Sequence, residues 1–215
     1  MARLTNQAPR QQLIEAAIEL FMEKGFNQVT TRDLAERTGL SRSHLYHYFS
    51  DWKELQKAAF TEFASQELAS VESILQIEDK HDAVLSMIIF LLPAEQDSSW
   101  KLWIDLWNAA QHDGEMAKLY LERQQKWPDV MALLLAAGQQ TGAFSLAQPA
   151  RSARQVVALL NGYADLLLLD ENHRDDTIAA LLEGVDLLLQ PDRSFQNAVA
   201  TVCAGLKQGF VAASP

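Results

Sequence analysis

The sequence contains few of the residues that mark secreted, membrane-spanning or disulfide-stabilised proteins. Its 215 residues include one cysteine, Cys203, which excludes an internal disulfide and fits a reducing compartment. The longest nearly pure apolar run, residues 87–92, is far shorter than the roughly 18 residues that a membrane span needs, and the N-terminus carries no apolar leader segment. These shortages predict a soluble, untargeted protein of the cytoplasm.

Motifs of common catalytic and metal sites are missing as well. No GxSxG, HExxH, Walker or Rossmann glycine pattern occurs, so we expect neither an enzyme nor a bound cofactor. His44 and His47 are three residues apart, but the same short segment offers no Cys, Asp or Glu to complete a tetrahedral set. The other histidines, His81, His112 and His173, are scattered, and no metal site is predicted.

The net charge of −10 is unevenly distributed along the chain. Residues 1–57 hold eight basic and seven acidic residues, whereas the remainder holds ten and twenty-one. Because phosphate binding depends on the local charge rather than on the total, the acidic composition does not exclude a nucleic-acid partner for the N-terminal segment.

An all-helical fold is predicted from the abundance of leucine and alanine, the low glycine and proline content and the absence of strand-like alternation. Helical periodicity continues from the fourth helix through Leu75 without a breaker. The predicted helices cover residues 10–24, 31–38, 42–48, about 51–75, 80–92, 97–112, 114–140, 150–170, 174–190 and 194–211.

Residues 30–49 have the pattern of a helix-turn-helix. Thr30 and Asp33 form a capping-box pattern, Gly39 suits a left-handed helix end, and Ser41 can cap another helix at once. In the second helix Leu45 and Phe49 face the core. The side chains that do not face the core are Arg42, Ser43, His44, Tyr46 and His47.

The first 57 residues resemble the DNA-binding head of the TetR family of regulators. The segments "WKLWIDLWNAA" and "KWPDVMALLLAAGQQTGAF" resemble, more weakly, the ligand-binding body of the BetI-like branch of that family. One departure is Trp52, where the family usually has a phosphate-contacting lysine; here the lysine follows at Lys53. The matching positions of the head are Leu13, Ala17, Leu20, Phe21, Gly25-Phe26, Thr30, Leu34-Ala35, Gly39-Leu40-Ser41, Leu45-Tyr46, Phe49 and Leu55.

The resemblance implies a three-helix DNA-binding head over residues 1–55 and an effector-binding, dimerising body over residues 56–215. It implies a repressor that binds a palindromic operator and is released by a small molecule. Arg42 would read guanine, with Ser43 and His44 as adaptable neighbours. Phosphate contacts would come from Thr30, Thr31, Arg32, Tyr46, His47 and Lys53. Two alternatives remain: a solvated helix face over a small core, and a helical protein-interaction module that binds no operator.

Three tryptophans, Trp100, Trp103 and Trp107, share one face of the helix over residues 97–112. They form either a core stripe or part of an effector pocket. Tryptophan faces in an acidic body favour a cationic effector, which agrees with the choline-responsive members of the BetI-like branch, although an apolar or aromatic effector is equally compatible. Asp105 lies opposite the tryptophans, so a counter-charge must come from elsewhere, for instance from Asp165 or Glu115. The further candidate lining residues are Phe90, Tyr120 and Trp127.

Residues 156–169 and 178–189 carry apolar side chains around more than one helical face, which indicates burial from two sides. We therefore expect a homodimer through the helices near 150–170 and 174–190, joined as a four-helix bundle. A fully interior pair in a monomer is the alternative. The dimer would present two heads about 34–36 Å apart along the DNA.

Overall fold

A computed structural model describes residues 7–94, 97–170 and 172–208. The predicted all-α fold is confirmed: the structure is 80% helical, and across the described ranges the one β feature is an isolated bridge between Phe144 and Pro191. Within the same ranges, no helix combines the length and the apolar character that a membrane crossing requires.

The helices follow one another with short connections. In chain order they are α1 (Gln7–Lys24), α2 (Thr31–Thr38), α3 (Arg42–Tyr48), α4 (Trp52–Ser70), α5 (Glu72–Leu75), α6 (Lys80–Leu91), α7 (Ser98–Ala110), α8 (Gly114–Gln124), α9 (Lys126–Thr141), α10 (Pro149–Leu169), α11 (Arg174–Leu189), a 3-10 turn (Phe195–Ala198) and α12 (Val199–Gln208).

The ends of α2 and the start of α4 are capped by hydrogen bonds from nearby residues. The Thr30 hydroxyl accepts from the Asp33 N–H at 3.3 Å, and Asp33 Oδ2 accepts from the Thr30 N–H at 2.8 Å, so the capping box is confirmed. Gly39 ends α2 with φ of 70°, a conformation that other residues adopt only at a cost. At the start of α4, Asp51 accepts from the N–H of Glu54, whose carboxylate accepts from the N–H of Ser50.

Two predicted helices are each divided in the structure. The fourth helix ends at Ser70, where the Val71 N–H bonds to Leu68 three residues earlier, and α5 follows; burial of both Val71 and Ile74 accompanies this tighter turn. The predicted helix 114–140 breaks at residue 125 because Pro128 has no N–H for the carbonyl of Gln124 and instead occupies the first turn of α9.

The predicted C-terminal helix over 194–211 begins as the 3-10 turn and continues as α12. Its last predicted residues, 209–211, lie outside the described residues.

The described residues form two compact units, one of residues 7–67 with 98–124 and one of residues 68–94 and 97 with 125–170 and 172–208. In the first unit α7 and α8 join α1–α4. Asp105 of α7 accepts a 2.8 Å hydrogen bond from the Phe26 N–H after α1. Gly25, at φ of 93°, leaves room for this carboxylate, whose Oδ2 would lie 3.3 Å from any added Cβ. The predicted domain boundary after residue 55 stays a prediction.

The second unit is built on α10 and α11, with α6, α9 and α12 packed beside them. Gly184 of α11 allows close packing on Leu159 of α10, because an added Cβ would come within 2.9 Å of Leu159 Cδ2. Arg174, buried at the start of α11, donates to the carbonyls of Leu167 and Pro93 and so ties three segments together.

Candidate nucleic-acid interface and effector site

The α3 helix presents its polar side chains to solvent. Ser41 caps it by accepting from the His44 N–H at 3.3 Å, and the hydroxyls of Ser41 and Ser43 lie 2.7 Å apart. Leu45 and Phe49 are buried, as their spacing predicts. The five remaining candidates are all exposed: Arg42, Ser43, His44, Tyr46 and His47.

Arg42 differs from most other cations of this segment in having no ion-pair partner among the described residues. Its guanidinium therefore gives up no internal salt bridge when it meets an anion. The paired cations of α1 and α2 are Lys24 with Asp33, Arg32 with Glu36, and Arg37 with Glu19 and Glu23.

The start of α2 offers a second anchor for an anion. Its capping box uses the N–H groups of Thr30 and Asp33, while the amides of Thr31 and Arg32 lie in the first turn, where no helical carbonyl can accept from them. The carboxyl pKa of Asp33 lies well below its usual range because the Lys24 ammonium and then Thr30 donate to it. Its negative charge competes with a phosphate at this helix start.

The lysine predicted to contact phosphate forms ion pairs with acidic residues of the same unit. Lys53 Nζ lies 2.7 Å from Asp113 Oδ2 and 3.2 Å from Glu115 Oε2, and Lys57 also donates to Glu115. These bonds raise the pKa of the Lys53 ammonium, with Asp113 the larger cause, and lower the pKa of both carboxyls. A phosphate contact by Lys53 requires it to exchange these carboxylates.

Trp52, at which the sequence departs from the pattern expected for the family, packs within the head. Its ring meets Phe21 edge-on at 6.2 Å and is half-buried. Trp52 and Lys53 also line one wall of an open cleft of about 690 Å³, whose other wall includes His112 and Asp113.

Trp103 lies at the centre of an aromatic cluster in the first unit. Its ring contacts Phe60 at 5.2 Å, Phe63 at 5.7 Å and Tyr120 at 5.8 Å. Its indole N–H donates to Glu67 Oε2 at 3.2 Å. Burial raises the pKa of the Tyr120 hydroxyl, which reflects the apolar surroundings.

Glu67 is the acidic neighbour of the tryptophan face that our sequence reasoning missed. The signal was present on α4, because Phe60, Phe63 and Glu67 recur at helical spacing and share one face. Glu115, one of the two suggested counter-charges, is engaged with Lys53 and Lys57, and Asp165 lies exposed on α10 of the second unit.

The remaining candidates for the effector site are divided between the two units. Trp100 is half-buried in the first unit, and Trp107 is 50% exposed there. Phe90 and Trp127 belong to the second unit, where their rings contact each other at 5.8 Å. The assignment of these residues to one effector pocket stays a prediction.

Family models match both parts of the chain. Residues 13–59 match the model for bacterial regulatory proteins of the tetR family, and residues 80–190, more than half of the chain, match the C-terminal model for BetI-type transcriptional repressors. The chain belongs to the TetR family. The predicted family is thereby confirmed, and since this family is made up of transcriptional regulators, the expectation that the chain is not an enzyme agrees with its membership.

Individual relatives agree with this assignment. The transcriptional regulator BetI of Cronobacter sakazakii is 27% identical over 115 residues, which cover 51% of this chain and 57% of that protein. The chain thus matches little more than half the length of that relative. The regulator YfiR of Bacillus subtilis is 23% identical and matches over 83% of this chain and 89% of its own. A Saccharomonospora viridis transcriptional regulator, solved in complex with choline, shares the fold at a TM-score of 0.75, with 19% identity, covering 87% of this chain and all of that one.

Proposed function

We propose that the protein is a cytoplasmic repressor that binds a palindromic operator as a homodimer and releases it when a small molecule binds. The observation that carries the proposal is the solvent-exposed α3 with its unpaired Arg42. This helix lies within the segment that matches the tetR family model, and the resemblance implies that it enters the major groove. Arg42 reads a guanine edge, and Ser43 and His44 make adaptable contacts to neighbouring bases. Thr31, Arg32, Tyr46 and His47 hold phosphates.

The homodimer forms through one face of α10 and α11. Gly162, Leu166 and Leu169 share an exposed face of α10, and Leu187 is exposed on α11. Leu169 is 86% and Leu187 75% exposed in the single chain, so both leave apolar area in water that a second copy would cover. Sedimentation of Leu169→Glu and Leu187→Glu tests this face: both should yield monomers, and an unchanged dimer would place the interface elsewhere.

The effector site includes the aromatic cluster around Trp103. A cation held against the Trp103 and Tyr120 rings would gain cation–π attraction, and Glu67 supplies the opposite charge that such a ligand needs. The choline complex of the Saccharomonospora viridis relative supports a quaternary ammonium compound as the first class to test.

Helix α7 couples the effector to the head. It carries Trp103 in the aromatic cluster and, two residues later, Asp105 on the opposite side, bonded to the Phe26 N–H. A ligand that shifts α7 therefore changes a contact that fixes the end of α1. The coupling expected for such switches is about 1 to 3 kcal/mol.

Titration of promoter DNA by the full-length protein tests operator binding. We expect salt-sensitive binding to a palindrome near the regulated gene. Binding to no palindrome at any salt concentration would favour the alternative, a helical protein-interaction module.

The effector assignment is tested with choline as the probe. Choline should weaken operator binding by the unaltered protein, and Glu67→Gln should need at least tenfold more choline while binding operator normally without it. Glu62→Gln is the matched control, because Glu62 also lies on α4 but its carboxylate accepts from Gln66 and not from the Trp103 indole. An unchanged choline response in Glu67→Gln would remove Glu67 from the site, and a response to apolar aromatic compounds alone would replace the cationic class.

A further inference from the structure

A buried histidine at the start of α6 faces two carboxylates. His81 is 5% exposed and stacks in parallel on Phe195, with the ring centroids 4.0 Å apart. Asp79 caps α6, and Asp82 lies in its first turn. One ligand atom from each of the three residues lies within 4.8 Å of the other two.

The hydrogen bond on the far side of the imidazole determines its tautomer. His81 Nε2 lies 2.8 Å from the backbone carbonyl of Arg193, which can only accept, so Nε2 carries the proton. In the neutral ring Nδ1 therefore has no proton and carries a lone pair. This nitrogen is enclosed and has no hydrogen-bond partner, with Asp82 Oδ1 3.6 Å away. An unpaired lone pair facing an anion is unfavourable unless a cation lies between them.

We propose that Asp79, His81 and Asp82 bind a divalent transition-metal ion, with His81 Nδ1 and one oxygen from each carboxylate as ligands. A set of one imidazole nitrogen and two carboxylate oxygens suits zinc, cobalt or nickel, and water would complete the coordination. The carbonyl of Arg193 serves as the outer partner that orients the histidine ligand. Bond lengths of about 2.0–2.2 Å require the two exposed carboxylates to move inward.

The guanidinium of Arg193 now pairs with both carboxylates. Its Nη2 lies 2.7 and 2.8 Å from the two oxygens of Asp79 and 3.6 Å from Asp82 Oδ1. Arg193 is half exposed, so its side chain can swing away while its backbone carbonyl stays on His81. The ion and the guanidinium therefore compete for the same two carboxylates.

Titration of the full-length protein with Co²⁺, followed by visible absorption and by displacement with Zn²⁺, tests the site. We expect one equivalent bound per chain. Asp82→Asn should weaken binding at least tenfold, as loss of a ligand requires, and Asp79→Asn should do the same while its side-chain oxygen still caps α6. Arg193→Gln should tighten binding severalfold, because it removes the competing charge and keeps the carbonyl.

His173→Asn is the matched control, since His173 also lies beside a carboxylate, Asp170, at 2.8 Å, but is exposed. It should leave Co²⁺ binding unchanged. Binding that survives Asp82→Asn, that disappears in His173→Asn, or that is absent from the unaltered protein and from Arg193→Gln would overturn the proposal. None of these outcomes depends on operator binding.

Discussion

Two neighbouring parts of the head differ in whether their basic side chains are ion-paired. On α3, Arg42 is exposed and has no partner within the described chain, whereas at the start of α4 Lys53 is held by Asp113 and Glu115. The sequence predicts a DNA contact for both residues. The difference indicates that Arg42 is available to DNA at once, while Lys53 contributes only after an exchange of partners.

The largest effect is expected from Arg42→Ala. If Arg42 reads a guanine, the variant loses about 1–3 kcal/mol of discrimination between operator and unrelated DNA and keeps most of its nonspecific affinity. Fluorescence anisotropy on both DNAs measures this. The matched control is Arg32→Ala, whose affinity should fall equally on all sequences with a smaller salt dependence. Equal losses for Arg42→Ala on both DNAs would reassign it to phosphate.

A smaller effect of opposite sign is expected when the partners of Lys53 are neutralised. Asp113→Asn with Glu115→Gln frees Lys53 and Lys57 and removes two negative charges, so nonspecific DNA affinity should rise about two- to fivefold, the range of an exposed ion pair. The introduced asparagine keeps a side-chain oxygen that can still cap α8. Asp129→Asn with Glu72→Gln, two exposed acidic residues of the second unit, controls for net charge. If both proteins change equally, the lysine pairs have no special role.

Local sequence was sufficient for much of this comparison. Thr30 and Ser41 determine where α2 and α3 begin, and Gly39 determines where α2 ends, through interactions with residues no more than four positions away. Pattern reasoning therefore found both helices with their observed bounds. The break before α9 was also readable, because Pro128 signals it.

The partners of Lys53 and Phe26 were not readable in the same way. Asp113 is sixty positions from Lys53, and Asp105 is 79 positions from Phe26. The periodicity of the sequence does not predict such pairs, because they depend on how α7 and α8 pack against the head. Sequence reasoning therefore identified the candidate cations and could not tell which of them form ion pairs within the protein.

The pair Lys24–Asp33 extends the comparison to acid pH. Its carboxyl pKa lies far below the ordinary value of 3.8, so the pair stabilises the head above that value and the stabilisation is lost as the pH falls towards the folded-state pKa. Asp33→Asn should therefore melt at a lower temperature than the unaltered protein near pH 6, and the difference should shrink at more acidic pH. A constant difference would mean that the charge of Asp33 is unimportant.

The smallest effect is expected from Trp52→Phe. This change keeps an aromatic ring against Phe21 and removes the indole N–H, so operator affinity should change by less than about twofold if Trp52 acts through packing. A loss of fivefold or more, with unchanged thermal stability, would assign the indole N–H to a phosphate and would give α4 a contact that does not require Lys53.

The most direct measurement compares the unaltered protein with Arg42→Ala. It measures the affinity of each for the promoter palindrome and for unrelated DNA over a range of salt concentrations. We expect tight, salt-sensitive binding by the first and loss of preference for the palindrome in the second. Equal preference in both proteins would contradict the assignment of the exposed α3 face to sequence recognition.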